Sequence, residues 1–184
     1  MSAPPRTAGD TVPIERLIGP DDPQRMRDFL AYWMAKRGDR TLPAFTDIDP
    51  IDIPWALAHT YVVEARPDGE LVYRLAGEAV SQRYNRSLKG VRISDLFTER
   101  SSEHILERWA KVIAGPAGYC SHSQHVTTGG ATVRARRIVL PLGADGSTAD
   151  HLMGYTVFES IRAGDEQFGN GVITQELRWA DLSR

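Results

Sequence analysis

The sequence contains only one cysteine, Cys120, among 184 residues. It therefore has no partner for an intrachain disulfide and cannot form a four-cysteine zinc site. Long apolar runs are also absent: the longest, such as residues 53–58 and 138–142, fall far short of the ~20 residues that span a bilayer. No apolar segment follows the first residues, so we expect no signal peptide and a cytoplasmic protein.

An excess of charge of either sign is lacking as well. The 22 basic and 24 acidic residues give a formal net charge of −2. This balance offers no general attraction for nucleic acid or for an anionic membrane surface. The hydrophobic fraction of 41% and the charged fraction of 25% are typical of a soluble globular domain. We therefore expect one folded domain that neither binds nucleic acid nor inserts into a membrane.

The apolar pattern predicts an α+β fold. Residues 24–37 carry apolar side chains at the spacing of one helix face, which predicts an N-terminal amphipathic helix. Residues 78–113 are predicted to be mainly helical. Segments of β-prone residues bounded by turn residues predict five strands, at 61–65, 70–76, 119–128, 132–142 and 151–158. Because hairpins join neighbouring strands, the predicted architecture is a five-stranded antiparallel sheet with helices on one face.

The two ends of the chain depart from this pattern. Residues 1–23 are rich in proline, aspartate, glycine and threonine, which predicts a flexible leader. Residues 163–184 include Gly164, Gly169 and Gly171 and are interpreted as a C-terminal extension without an assigned role. The domain itself is therefore predicted to cover residues 24–162.

The order of the elements, two strands, several short helices and then three strands, resembles the PAS fold. Particular residues extend the resemblance to a bacterial family of stand-alone PAS-like proteins, in which a tryptophan-bearing helix leads into a Leu-Pro and an Asp-Pro element. These residues are Trp33 with Arg37 and Gly38, Leu42-Pro43, Asp47–Pro50, Ile53-Pro54, Tyr73–Gly77, Leu88–Gly90 and Leu140–Leu142. The resemblance spans residues 24 to about 160. It implies a sensory or regulatory fold and names no ligand.

A candidate ligand pocket follows from the second long helix, whose apolar face carries Ile105 and Trp109. This face must cover the sheet, where strand residue Tyr73 is expected on the same side. Trp109 and Tyr84 have polar tips that suit a ligand or a hydrated cavity. Arg74 would need an anion or a carboxylate if it pointed inward, because a buried unpaired charge is costly. Core packing without a ligand is the alternative role for these aromatic residues.

A metal or haem site receives less support. On a strand, Cys120 and His122 point to one face and His125 to the other, so they do not converge as zinc ligands must. We therefore predict no metal. His104 lies on the helix that carries the proximal histidine in haem-binding PAS domains, but its position about 100° from Ile105 turns it partly outward. No cofactor is predicted, and a haem-binding sensor is kept as a second alternative.

Motifs for catalysis or light sensing are also missing. The sequence has no Gly-x-Ser-x-Gly element and no glycine-rich phosphate loop before a helix. Asp47 and Asp49 stand at helix starts, where aspartate is a preferred cap. Residues 85–87 lie where light-sensing relatives carry a flavin-adduct motif, but they lack its cysteine. We therefore predict that the protein is not an enzyme.

Three arginines, Arg134, Arg136 and Arg137, lie on one predicted strand. Arg134 and Arg136 share a face because strand side chains alternate. A solvated outer face and a cationic patch for an anionic ligand or a partner both remain open.

The predicted function is that of a non-catalytic sensory or regulatory protein that binds a small ligand, a protein partner, or both. A ligand-free dimerisation or interaction module is the first alternative. A homodimer is expected because Met26, Phe29, Leu30 and Trp33 form an apolar stripe too large to leave in water. These four residues are the candidate dimer interface. The alternative is that the helix folds back on its own domain and leaves a monomer.

Overall fold

The computed structural model describes residues 9–96, 99–127, 132–160 and 168–182. The helices in these ranges are α1 (Gln24–Arg37), α2 (Glu78–Gln82) and α3 (Glu99–Ala114). The strands are β1 (Asp10–Thr11), β2 (Thr60–Ala65), β3 (Leu71–Ala76), β4 (Ala117–Thr127), β5 (Thr132–Gly143), β6 (Ala149–Ser160) and β7 (Phe168–Asp181). Short 3-10 helices occupy Ile14–Arg16, Phe45–Asp47, Pro50–Asp52, Leu57–His59 and Ile93–Asp95. None of the described helices is both long and apolar enough to cross a membrane.

All seven strands form one sheet in the order β1-β7-β4-β5-β6-β2-β3. The pairings are antiparallel except for β1, which pairs with β7 in parallel. The prediction of five strands is therefore wrong in number, and the sheet is mixed instead of purely antiparallel. The five predicted segments nevertheless lie together at one end of the sheet and pair antiparallel with one another. Glycines within β7 weaken its strand pattern in the sequence, and only pairing with β4 reveals the strand.

Helices cover both faces of the sheet: α2 and α3 lie on one face, as predicted for residues 78–113, and α1 lies on the other. We call the face under α2 and α3 the inner face and the face under α1 the outer face. Each face carries its own cluster of buried apolar side chains. The sequence reason lies in β5, where Ile138, Leu140 and Leu142 point outward and Val139 points inward. A strand that is apolar on both faces needs a layer on each side.

The helix α1 covers its own sheet. Met26, Phe29, Leu30 and Trp33 are all buried in the outer cluster. The indole of Trp33 donates a hydrogen bond of 2.9 Å to the carbonyl oxygen of Pro141 in β5. The prediction that this helix is amphipathic is not confirmed. Apolar residues beside the buried stripe, such as Met34, are only half-buried. The helix ends at Gly38, which adopts a positive φ of 58°.

The predicted leader and extension are continuous with the domain where the structure describes them. Ile14 and Leu17 are buried in the outer cluster. The strand β7 lies between β1 and β4, inside the sheet. The predicted boundaries at residues 23 and 163 therefore do not separate packed units. Residues 1–8 and 161–167 lie outside the described ranges.

Candidate ligand-binding site

Three aromatic rings form the centre of the inner cluster. The rings of Tyr61 and Trp109 stack with their centroids 5.6 Å apart. Tyr73 meets both rings edge-on, at 5.9 Å from each. Tyr61 and Tyr73 reach this position because alternation on neighbouring strands turns both inward. Trp109 reaches it from α3, so the group joins helix to sheet.

A small inner cavity lies beside these rings. Its wall is formed by Tyr61, Tyr73, Val80, Tyr84, Ile105, Trp109, Arg137, Thr156 and Phe158. About 20 Å³ is available to the centre of a water molecule. This is room for about one water, which needs at least ~10–15 Å³ on the same measure. The inner core is therefore nearly filled in this conformation.

Arg137 supplies the charge of the inner cavity. It stands opposite Ser121 of β4 and Thr156 of β6 in the sheet register, so its side chain points inward. Its Nε atom is enclosed and makes no hydrogen bond. The hydroxyls of Tyr61 and Ser121 are likewise buried without a hydrogen-bond partner among the described residues. The wall of the cavity contains no carboxylate.

Burial keeps the phenols of this region neutral. Burial raises the pKa of Tyr84 to about 12, although the charge of Arg137 acts in the opposite direction. Burial likewise raises the pKa of Tyr61 and Tyr73. Neutral phenols keep their protons, so each can act as a hydrogen-bond donor. The cavity therefore combines one guanidinium with several hydroxyl donors.

A buried histidine stands near this group on β4. The side-chain oxygen of Ser123 and Nε2 of His125 are 3.1 Å apart. Burial lowers the pKa of His125 to about 3, and the charges of Arg137 and Arg83 act in the same direction. The imidazole is therefore neutral at neutral pH, and its weak basicity makes it a poor general base.

Four of the five predicted pocket residues line the inner cavity. These are Tyr73, Tyr84, Ile105 and Trp109. Arg137, which the sequence grouped with two outward arginines, is the residue that was missed. Alternation separates it from Arg134 and Arg136, but the sequence does not show which face meets the helices.

Arg74, the fifth predicted residue, lies on the outer face instead. Its guanidinium pairs with Glu64 at 3.5 Å and lies over the ring of Phe45, 5.2 Å from the centroid. Here the register shifts between Val62 and Val63, because β3 contains one extra residue. Such a bulge re-aims side chains, and it places both Arg74 and Leu75 on the outer face.

Arg74 and Leu75 line an outer groove between the short helices of residues 45–57 and the strands β2 and β3. It offers about 500 Å³ to the centre of a water molecule. This volume falls in the usual range of small-molecule sites, about 300–1,000 Å³.

The predicted dimer-interface residues are enclosed within their own chain. Phe29, for example, stacks on Tyr155 of β6 with centroids 5.2 Å apart. The apolar stripe of α1 therefore offers no open surface to a second copy in this structure. The homodimer itself remains a prediction, without this stripe as its basis.

Two residues considered above as zinc ligands, Cys120 and His122, lie next to Asp22 in a cluster of ion pairs. Ligand atoms of Asp22, Cys120 and His122 lie within 4.8 Å of one another. One oxygen of Asp22 is 2.6 Å from Nε2 of His122, and the other accepts a hydrogen bond of 2.7 Å from Arg178. Arg136 adds a second guanidinium 3.8 Å from Asp22. Two neighbouring guanidiniums oppose a divalent cation, so the arrangement fits ion pairing better than metal binding.

Burial by itself would raise the pKa of Asp22. Hydrogen bonds from His122, from the backbone N–H of Gly19 and from Arg178 outweigh it and lower the pKa below its ordinary value. The carboxylate therefore ties the segment before α1 to β4 and β7.

His104 does not reach the inner cluster. Its side chain is 64% exposed on α3 and lies 3.8 Å from a carboxylate oxygen of Glu107. The haem alternative therefore gains no support from the position of this histidine.

Comparison with known proteins identifies the family. The sequence model of the PAS domain matches residues 22–157, which is more than half of the chain. One similar solved structure is the crystal structure of the PAS domain of the protein from Colwellia psychrerythraea. It is 13% identical, covers 61% of this chain and 98% of its own, and has a TM-score of 0.42. A search of curated proteins finds no match. Because the family match includes α1 and runs from β2 into β6, the chain belongs to the PAS domain family.

Proposed function

We propose that this protein is a non-catalytic sensory or regulatory module whose input is a small anion bound at Arg137 in the inner cavity. Membership of the PAS domain family supports the sensory or regulatory role. The single observation that carries the ligand is the enclosed Nε atom of Arg137, which has no hydrogen-bond partner.

Arg137 as a whole is half-buried, but its Nε atom is enclosed, and the chemistry of the ligand follows from the cost of leaving that charged donor without a partner. An arginine guanidinium stays protonated in proteins, so it cannot escape this cost by losing its proton. Among the described residues, Arg137 has no carboxylate in an ion pair. A small anion would supply the missing charge and accept a hydrogen bond from Nε. The hydroxyl of Tyr61, which lines the same cavity, offers a second donor nearby.

The size of the cavity limits what enters without movement. A space for about one water can hold a chloride ion, or one oxygen atom of a formate or nitrate ion. A larger carboxylate enters only if α3 shifts away from the sheet. Such a shift would change the contacts of Trp109, which joins α3 to Tyr61 and Tyr119. This coupling between ligand size and helix position is how binding would be passed to a partner protein.

The side chains near the cavity favour binding over catalysis. Ser123 and His125 form a hydroxyl–imidazole pair on β4, and both residues are buried. With a pKa of about 3, His125 is far from the value near 7 that suits a general base. The nearly filled core also supports a second candidate function, a ligand-free interaction module.

Anion-dependent stability tests the proposal. Thermal unfolding would be followed by differential scanning calorimetry in chloride, nitrate, formate or acetate at one ionic strength, with gluconate, which is too large for the cavity, as the reference anion. We expect at least one anion to raise the midpoint with a saturable dose dependence, because a ligand that binds only the folded state stabilises it. Arg137→Met should abolish this rise.

Arg134→Met is the matched control, since Arg134 is exposed on the same strand. It should keep the rise. Saturable stabilisation that survives Arg137→Met would contradict the assignment of the site. The absence of stabilisation by any anion would favour the ligand-free module.

A further inference from the structure

The outer groove has mainly apolar walls and borders β3, the edge strand of the sheet. One wall consists of residues from the short helices, among them Phe45, Ile48 and Leu57. Val62 and Val72 belong to the strands on its other side. Leu57 and Leu75 are 37% and 44% exposed, so the groove shows apolar surface to water. Its volume of about 500 Å³ is much larger than that of the inner cavity.

The charges around this groove are mainly positive. Arg66, Arg74 and Lys89 line it, together with one carboxylate, Glu64. Arg74 already pairs with that carboxylate at 3.5 Å. Within the described ranges, Arg66 and Lys89 form no ion pair. Two exposed cations are therefore left at the edge of an apolar channel.

We infer that the outer groove binds a long-chain carboxylate, with its alkyl chain along the apolar channel and its head group at Arg66 and Lys89. The apolar channel accounts for the chain, because burying methylene groups is favourable in proportion to their area. The two unpaired cations account for a head group of negative charge. This site lies on the opposite face of the sheet from Arg137 and does not depend on the proposed function.

A titration series with saturated carboxylates tests both parts of this inference. Octanoate, decanoate and dodecanoate would be titrated by calorimetry below their micelle-forming concentrations, with dodecanol as the uncharged probe. We expect affinity to rise by up to about fourfold for each added methylene until the channel is filled. Dodecanoate should bind more tightly than dodecanol.

Variants separate the chain from the head group. The double variant Arg66→Met with Lys89→Met should weaken dodecanoate at least tenfold and leave dodecanol nearly unchanged. Leu57→Ser with Leu75→Ser should weaken both probes. Ile51→Ser is the matched control, because Ile51 is 83% exposed on the same segment but does not line the groove. Circular dichroism would confirm that each variant is folded.

Three outcomes would overturn the inference. The first is affinity that does not depend on chain length, and the second is equal binding of dodecanol and dodecanoate. The third is a dimer in light scattering that Leu57→Ser with Leu75→Ser dissociates while neither probe binds, since a second copy would then fill the groove. Arg137→Met should bind dodecanoate normally, so failure at one site leaves the other test intact.

Discussion

The indole Nε1 of Trp109 donates a hydrogen bond of 2.9 Å to the hydroxyl oxygen of Tyr119. This bond joins α3 to β4, and both side chains are buried. Trp109 also stacks on Tyr61 of β2, so one residue contacts two strands that are separated by β5 and β6. The position of α3 over the sheet therefore depends strongly on this side chain.

We expect Trp109→Phe to lower the free energy of unfolding by about 1–3 kcal/mol, because it removes the hydrogen bond and part of the stacked surface. Tyr119→Phe should cost about 1 kcal/mol. Urea denaturation of both variants and the double variant measures the coupling. Since the residues share one bond, the double variant should lose less than the two single losses combined. Strict additivity would contradict this relationship.

Gly154 provides the space for the ring of Tyr61. A Cβ atom at residue 154 would come within 2.1 Å of that ring. Gly154→Ala should therefore displace Tyr61 and lower the free energy of unfolding by about 1–3 kcal/mol or more. Gly115→Ala is the control, because nothing lies within 4 Å of its added Cβ. Equal urea midpoints for the two variants would show that Tyr61 is not held against Gly154.

Asp22 should be essential to the stability of the N-terminal segment. Asp22→Ala leaves the cationic group of Arg178 without this carboxylate and should cost about 3 kcal/mol. Asp21→Ala is the neighbouring control, since Asp21 is exposed. Because the pKa of Asp22 is lowered on folding, its contribution is present above the ordinary aspartate value, about 4. The difference between wild type and Asp22→Ala should shrink as the pH falls below that value, and a constant difference would contradict the linkage.

His125 should make the free energy of unfolding depend on pH in a higher pH range than Asp22 does. Burial, with the charges of Arg137 and Arg83, lowers its pKa in the folded state to about 3. The unfolded chain, with an ordinary value of about 6.5, takes up the proton first as the pH falls. The contribution of neutral His125 is therefore complete above about pH 6.5 and is lost between that value and about 3.

The slope from this group should reach up to about 1.4 kcal/mol per pH unit. Urea denaturation at pH 7, 6 and 5 measures it in wild type and in His125→Gln. The variant should lack this component. Parallel pH profiles would show that His125 is protonated equally in both states.

Association in solution tests the predicted homodimer. Light scattering should report a mass near twice 20.4 kDa. Phe29→Asp should give an unfolded or insoluble chain, because Phe29 is buried against Tyr155 within its own domain. A folded, monomeric Phe29→Asp protein would show instead that this residue serves the dimer and is dispensable for the fold.

Local patterns in the sequence were enough to predict the strands β2 to β6 and the helical stretch between them. Turn residues and the alternation of apolar side chains act over a few residues, so a short segment carries its own signal. The convergence of Tyr73, Ile105 and Trp109 on one face followed from the same argument, because the apolar face of α3 must cover a sheet.

Long-range packing decided the remaining features. The strand β7 became visible only through its pairing with β4, and α1 covers the outer face of its own chain instead of offering a stripe to a partner. Long-range packing also decided on which face of the sheet Arg74 and Arg137 lie. A bulge and the choice of inner face turned Arg74 outward and Arg137 inward. Alternation along a strand determines which residues share a face, but only contacts between distant elements determine which face is covered and by what.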